Sequence, residues 1–188
     1  MRKSPYRIRF DVMMLPHMGA AFNLARWITR NADDAADVVQ ESYARALRFF
    51  DDCRGENPRA WLLAIVRNAS LNWLEKVKNQ RTVSWFELSS EEGEVAGDIA
   101  DQAIDIEFDI IQKQAAVALD NLIAALPTSY REVIVLRELE ELSYKEIATV
   151  IGLPVGTVMS RLSRGRQLVQ KYWKQLPENR AQDVSTDE

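Results

Sequence analysis

At 188 residues and a net charge of −4, the chain has room for one domain or two small ones. It is too acidic to carry a general basic coat, so any nucleic-acid contact must be local. One cysteine (Cys53) and one histidine (His17) exclude an internal disulfide and give no cluster with metal-ligand spacing, so neither a metal nor another cofactor is expected. No apolar run approaches the roughly 20 residues that span a bilayer, and the expectation is a cytoplasmic protein with no stable membrane insertion.

The basic N-terminus, Met1 to Phe10, is not followed by an apolar stretch of signal-peptide length, because His17, Asn23 and Arg26 interrupt it. Glycine and proline are few, and no alternating apolar runs are joined by an Asn-Gly or Asp-Gly turn, which predicts an all-α fold. The first strong helix is predicted over Asp33 to Phe50. Ala35, Val38, Val39, Ser42, Tyr43, Ala46, Leu47 and Phe50 recur at helical spacing and form a core stripe, while Asp37, Gln40, Glu41 and Arg48 lie opposite. Asp51 to Pro58 is rich in turn residues, and a second helix begins near Arg59. Trp61, Leu62, Ile65, Val66, Ala69, Leu71, Trp73 and Leu74 make it apolar on more than one face, which predicts deep burial. Its polar set, Arg59, Arg67, Asn68, Asn72, Lys76 and Lys78, offers cations for phosphate and amides for base edges, as single-stranded nucleic acid requires. The asparagines could equally cap or cross-link core helices.

Between Arg81 and Lys113 there is no basic residue, and nine acids from Glu87 to Asp109 gather around Gly93 and Gly97. Such a run buries little and repels itself, so it reads as a flexible acidic linker between two small helical domains, or as a solvated loop with no role. The domains are placed at 1–82 and 113–176, the linker at 83–112 and a disordered tail at 177–188.

The segment Leu142 to Arg166 predicts a helix-turn-helix. Ser143 and Glu146 form a capping box, Gly152 ends the first helix, and Pro154 suits the first turn of the second. Val155, Val158 and Leu162 face inward, which leaves Thr157, Met159, Ser160, Arg161 and Arg164 outward, as on a helix presented to a DNA major groove. From Pro154 to Gln175 there are three arginines and two lysines but no acid. No phosphate-binding Gly-Lys-Ser/Thr loop and no nucleophile-base pairing is evident, so no enzyme is expected.

Taken together, Asp34 to Ala46, Arg59 to Leu74, Leu126 to Ala148 and Pro154 to Arg166 resemble, in this order, the bacterial sigma factors of the extracytoplasmic-function (ECF) branch of the sigma-70 family. The resemblance spans roughly Ala21 to Trp173. It implies a region 2 helical bundle that docks on core RNA polymerase and opens the −10 element, and a region 4 helix-turn-helix that reads the −35 element of promoter DNA. Asp37, Gln40 and Glu41 match the polymerase-docking positions. Asn68 and Asn72 match contacts to the unwound strand, and the loop from Cys53 to Pro58 matches the one that receives a flipped base. Arg54, Asn57, Arg67 and Lys76 complete the −10 candidates. On the −35 side the candidates are Thr157, Met159, Ser160, Arg161, Arg164, Arg166 and Lys171. Met159 stands where the family often carries a basic residue, and Gly165 where alanine is common, the latter weakening the helix by about 0.5 to 1 kcal/mol. An anti-sigma factor is the partner the resemblance adds. The alternatives are a stand-alone helix-turn-helix regulator that binds duplex DNA and a protein-interaction adaptor.

Overall fold

With apolar residues at helical spacing and few glycines to break it, the chain folds as helices wherever its structure is described, and no strand occurs among those residues. The structure, a computed structural model, describes residues 5–53, 57–84 and 117–175. Helices α1 (Pro5–Met14), α2 (Met18–Thr29), α3 (Ala32–Arg48) and α4 (Pro58–Ser84) make the N-terminal half. Helix α5 (117–125), α6 (Thr128–Ile134), α7 (Tyr144–Ile151) and α8 (Val155–Gln175) make the C-terminal half. Helix α6 runs on through a wide π turn, Val135–Leu139.

Caps set the helix boundaries. The Asn31 side chain accepts from the backbone N–H groups of Asp33 and Asp34 at 2.8 and 3.1 Å, so α3 starts one residue earlier than predicted. It ends at Arg48, and Phe50 turns into the core from a short 3-10 segment instead of extending the helix. The Ser143–Glu146 capping box is present with both of its bonds, at 3.3 and 2.7 Å. Gly152 closes α7 at φ 68°, a conformation that glycine adopts without the clash a Cβ would bring. Pro154 lies just before α8 and not in its first turn, and its carbonyl accepts from Thr157 and Val158. Helix α4 continues to Ser84, two residues into the segment read as linker; the rest of that segment, Arg54 and the tail from 177 lie outside the described residues.

The N-terminal core gathers Met14, Leu24, Ile28, Leu62, Leu63 and Val66, all under 2% exposed. Phe50 sits edge-on to Phe10 and Tyr6, with ring centroids 5.3 and 5.6 Å apart, which pins α1 across the end of α3. In the C-terminal half Leu126, Leu136, Leu142, Ile147, Val158 and Leu162 are buried. The inward stripe expected of α8 is narrower than predicted, because Val155 is exposed. The buried Gly165 fills the gap: a Cβ there would lie 3.0 Å from Ile134 Cγ1, so the glycine lets α8 close on α6 and is not simply a weak point. The deep burial expected of α4 holds for Leu62 and Val66, joined by Leu63 and Ser70, whereas Trp61, Ile65, Ala69, Leu71, Trp73 and Leu74 are only half-buried.

The two halves pack on each other, α2 against α6 and α4 against α7, and share one apolar core. Arg131 reinforces this seam from a buried position. It donates to the Trp27 carbonyl near the C-terminus of α2 at 2.9 Å, and to the Ala124 and Leu126 carbonyls at 2.7 Å each. A cation at those carbonyls also complements the dipole of α2. Burial lowers the Arg131 pKa to about 10.

Candidate nucleic-acid and polymerase interface

The acid-free sequence of α8 produces an outward basic face. Met159, Ser160, Arg164 and Lys171 are exposed and Thr157 is half-buried, with the Ser160 hydroxyl donating back to the Thr157 carbonyl at 3.0 Å. Arg164 and Lys171 therefore project from a helix held by Val158 and Leu162. Arg161 and Arg166 are placed differently. Arg161 reaches the Glu132 carboxylate at 3.0 Å, and Arg166 grips Glu138 at 2.6 and 3.1 Å, which raises the arginine pKa. The Arg166 pair is exposed on both sides and contributes at most about 1 kcal/mol, so phosphate could displace it.

On α4, Asn68, Asn72 and Lys76 are exposed at a spacing of four residues, which aligns them along one face. Glu41, on α3, faces the same region. A cleft of about 330 Å³ between α3 and α4 is lined by Glu41, Arg45, Asn72, Trp73 and Lys76, so the docking candidate and two strand candidates share one groove. Asp37, Gln40 and Glu41 are all exposed, because Ala35, Val38, Val39 and Ser42 take the buried side of α3. Neutral amides beside lysine suit a single strand whose bases are read and whose phosphate is neutralised.

Two of the −10 candidates are engaged inside the fold. Asn57 caps α4, its side-chain oxygen accepting from the Ala60 N–H at 3.0 Å, and its amide donates to Glu146. Arg67 makes a forked pair with Glu132, Nε at 2.7 Å and Nη2 at 3.1 Å, a geometry that arginine presents equally to carboxylate or phosphate. Glu132 is 2% exposed and bonds Arg67 and Arg161 at once. One carboxylate thus joins a −10 candidate to a −35 candidate. Nearby, the buried Glu140 accepts from Arg59 at 2.7 Å and from Asn23 at 3.1 Å. Hydrogen bonds from Ser143, side chain and then backbone, hold the Glu146 carboxyl below its ordinary range.

Glu132 and Glu140 were not found from the sequence, and Glu146 was read only as the capping-box partner of Ser143. Glu132 carried a usable signal, since Arg131 and Glu132 directly precede the apolar run Val133 to Leu136, and a charge there needs a partner. His17 is half-buried, with its pKa lowered by burial and then by Arg59. Among the described residues no group of His, Cys, Asp and Glu could hold a metal ion, and no helix is long and apolar enough to cross a membrane.

Comparison with known proteins fits this layout. The family model for Sigma-70 region 2 matches residues 13–81, and the model for Sigma-70, region 4 matches residues 116–169. The RNA polymerase sigma-H factor of Pseudomonas aeruginosa is 33% identical over 170 residues, covering 89% of this chain and 87% of that protein. The ECF RNA polymerase sigma-E factor of Haemophilus influenzae is 34% identical over 151 residues, 78% of this chain and 77% of its own. Among solved structures, the sigma factor RpoE in complex with the anti-sigma factor NepR from Bartonella quintana shares the fold, with TM-score 0.71, 24% identity, and 88% of this chain on 97% of that one. CnrH in complex with the cytosolic domain of CnrY matches with TM-score 0.57 and 25% identity over 90% of each chain. With both regions present in order and relatives aligned across most of its length, the chain belongs to the sigma-70 family and is an RNA polymerase sigma factor of the ECF type.

Proposed function

We propose that residues 1–82 dock the chain on core RNA polymerase and melt the −10 element, that residues 113–176 read the −35 element as duplex, and that the chain catalyses no reaction of its own. The observation that best supports this division is the pair of exposed polar faces: Asp37, Gln40 and Glu41 on α3, and the acid-free outward side of α8. The acidic α3 face would orient a basic polymerase surface and speed encounter. Asn68, Asn72 and Lys76 then take the unwound strand along α4. Arg164 contacts a base or phosphate in the major groove, where a bidentate arginine on guanine contributes about 1 to 3 kcal/mol of discrimination. Thr157, Met159, Ser160 and Arg161 flank it, and Arg166 and Lys171 take phosphate. The protein acts in the cytoplasm, where its polymerase and promoter are.

An anti-sigma factor holds the chain inactive. Support comes from the similar RpoE of Bartonella quintana, which was solved with the anti-sigma factor NepR bound. The test is affinity for purified core polymerase. Glu41→Lys, on an exposed position that leaves the core of α3 intact, should abolish binding while the circular dichroism spectrum is unchanged. Retained core affinity would overturn the docking assignment.

A further inference from the structure

The N-terminal turns of a recognition helix lie against base edges, and on α8 the polar groups of those turns are largely committed within the protein. The Ser160 hydroxyl donates to the Thr157 carbonyl at 3.0 Å, and Arg161 reaches the Glu132 carboxylate at 3.0 Å. Ahead of the exposed Arg164, the largest exposed side chains are therefore carbon: Val155 at 37% and Met159 at 53%, one helical turn apart on the same side. Val158, Leu162 and Gly165 take the buried side of α8, so its packing uses neither of them. Gly156 beside them is open, since a Cβ there would meet nothing within 4 Å. Met159 also borders a cleft of about 320 Å³ with Tyr144, Ser163 and Gln167, so a methyl group can approach it without displacing a packed side chain.

An exposed thioether has one complement among the groups that base pairs display in the major groove. Guanine, cytosine and adenine present hydrogen-bond donors and acceptors there, and thymine alone adds an apolar C5 methyl. Carbon set against a donor or acceptor strips it of water and returns no bond. Against the methyl nothing is lost, and the unbranched, polarizable methionine side chain adjusts to it. We infer that Met159, backed by Val155, reads a thymine methyl in the −35 element, beside the base or phosphate taken by Arg164. Five residues of helix rise about 7.5 Å, which is about two base-pair steps, so the required thymine lies about that far from the Arg164 contact. The inference rests on reading α8 as the −35 helix, and the experiment tests the two ideas separately.

The full chain is assembled with core RNA polymerase, and binding is measured on a promoter fragment from which that holoenzyme starts transcription. Each thymine of the upstream element is replaced in turn by deoxyuridine, which removes the methyl and keeps every hydrogen-bonding group. One replacement should weaken the native holoenzyme about three- to fivefold, the worth of one buried methyl group, and should leave Met159→Ala unaffected because that variant has already lost the contact. Met159→Ala alters an exposed side chain and keeps a good helix former, so the fold is unchanged. Met159→Arg should move the preference at the same position from thymine to guanine. If no deoxyuridine replacement distinguishes the native protein from Met159→Ala, the thymine reading is overturned. The −35 assignment is judged by Arg164→Ala and by a fragment whose upstream element is scrambled. If Arg164→Ala weakens binding to the intact element while no thymine matters, Met159 alone is overturned. If neither scrambling the element nor removing Arg164 changes binding, α8 falls as the −35 helix and the thymine reading falls with it.

Discussion

Gly165→Ala measures how tightly the DNA-facing helix α8 is seated. Two effects oppose each other. Alanine inside a helix is favoured over glycine by about 0.5 to 1 kcal/mol. The added Cβ, however, would stand 3.0 Å from Ile134 Cγ1, 3.3 Å from Ile134 Cδ1 and 3.5 Å from Tyr130 Cβ. Ile134 is itself 4% exposed, so it has little room to withdraw. Overpacking of this kind costs about 1 to 3 kcal/mol, and the clash should win by about 1 kcal/mol. For a chain of this size that lowers Tm by about 2 to 4 °C. Urea denaturation of Gly165→Ala in the native and Ile134→Val backgrounds completes a double-mutant cycle. Valine lacks Cδ1 but keeps Cγ1, so the cost of the alanine should shrink without vanishing. If Gly165→Ala stabilises the otherwise native protein, or has the same effect in both backgrounds, the reasoning about this contact fails.

Arg131→Met should destabilise by about 3 to 5 kcal/mol in the same urea assay, because three carbonyls lose a buried charged donor; a loss under about 1 kcal/mol would contradict its place in the seam. Burial raises the Tyr43 pKa to about 12, while its phenol donates to the Met14 carbonyl at 2.8 Å. The unfolded chain releases that proton near pH 10, so stability should fall as pH rises from 10 toward 12, and Tyr43→Phe should flatten that part of the profile. The Glu146 carboxyl is shifted the other way. Its contribution is present above its ordinary value of 4.5 and is lost as pH falls through its lower folded value, and Ser143→Ala should reduce this acid sensitivity in thermal melts. Arg164→Ala should weaken −35 recognition by about 1 to 3 kcal/mol in promoter-binding titrations while leaving core affinity intact; equal losses in both would make Arg164 structural.

The helix-turn-helix was readable because its signals are local: Ser143 and Glu146 are three residues apart, and Gly152 alone sets the turn. The stripe of α3 was readable for the same reason, although Asn31 capped it a residue early and Phe50 left the helix. What the sequence concealed was long-range. Arg67 and Glu132 are 65 residues apart, and Asn57 and Glu146 are 89 apart, so periodicity within a helix says nothing about their pairing. Arg161 was correctly placed on α8, but its turn toward Glu132 depends on how α6 crosses α8. Gly165 looked like a weak point because propensity is a property of one helix, while the need for a missing Cβ comes from the neighbouring one.

The most direct test is transcription with core RNA polymerase on fragments of the genome that encodes the chain, with and without the purified protein. Transcripts should start at a defined set of promoters only when the protein is present, and Glu41→Lys should remove them. If no defined start depends on the protein and it does not bind core polymerase, the promoter-specificity role is contradicted.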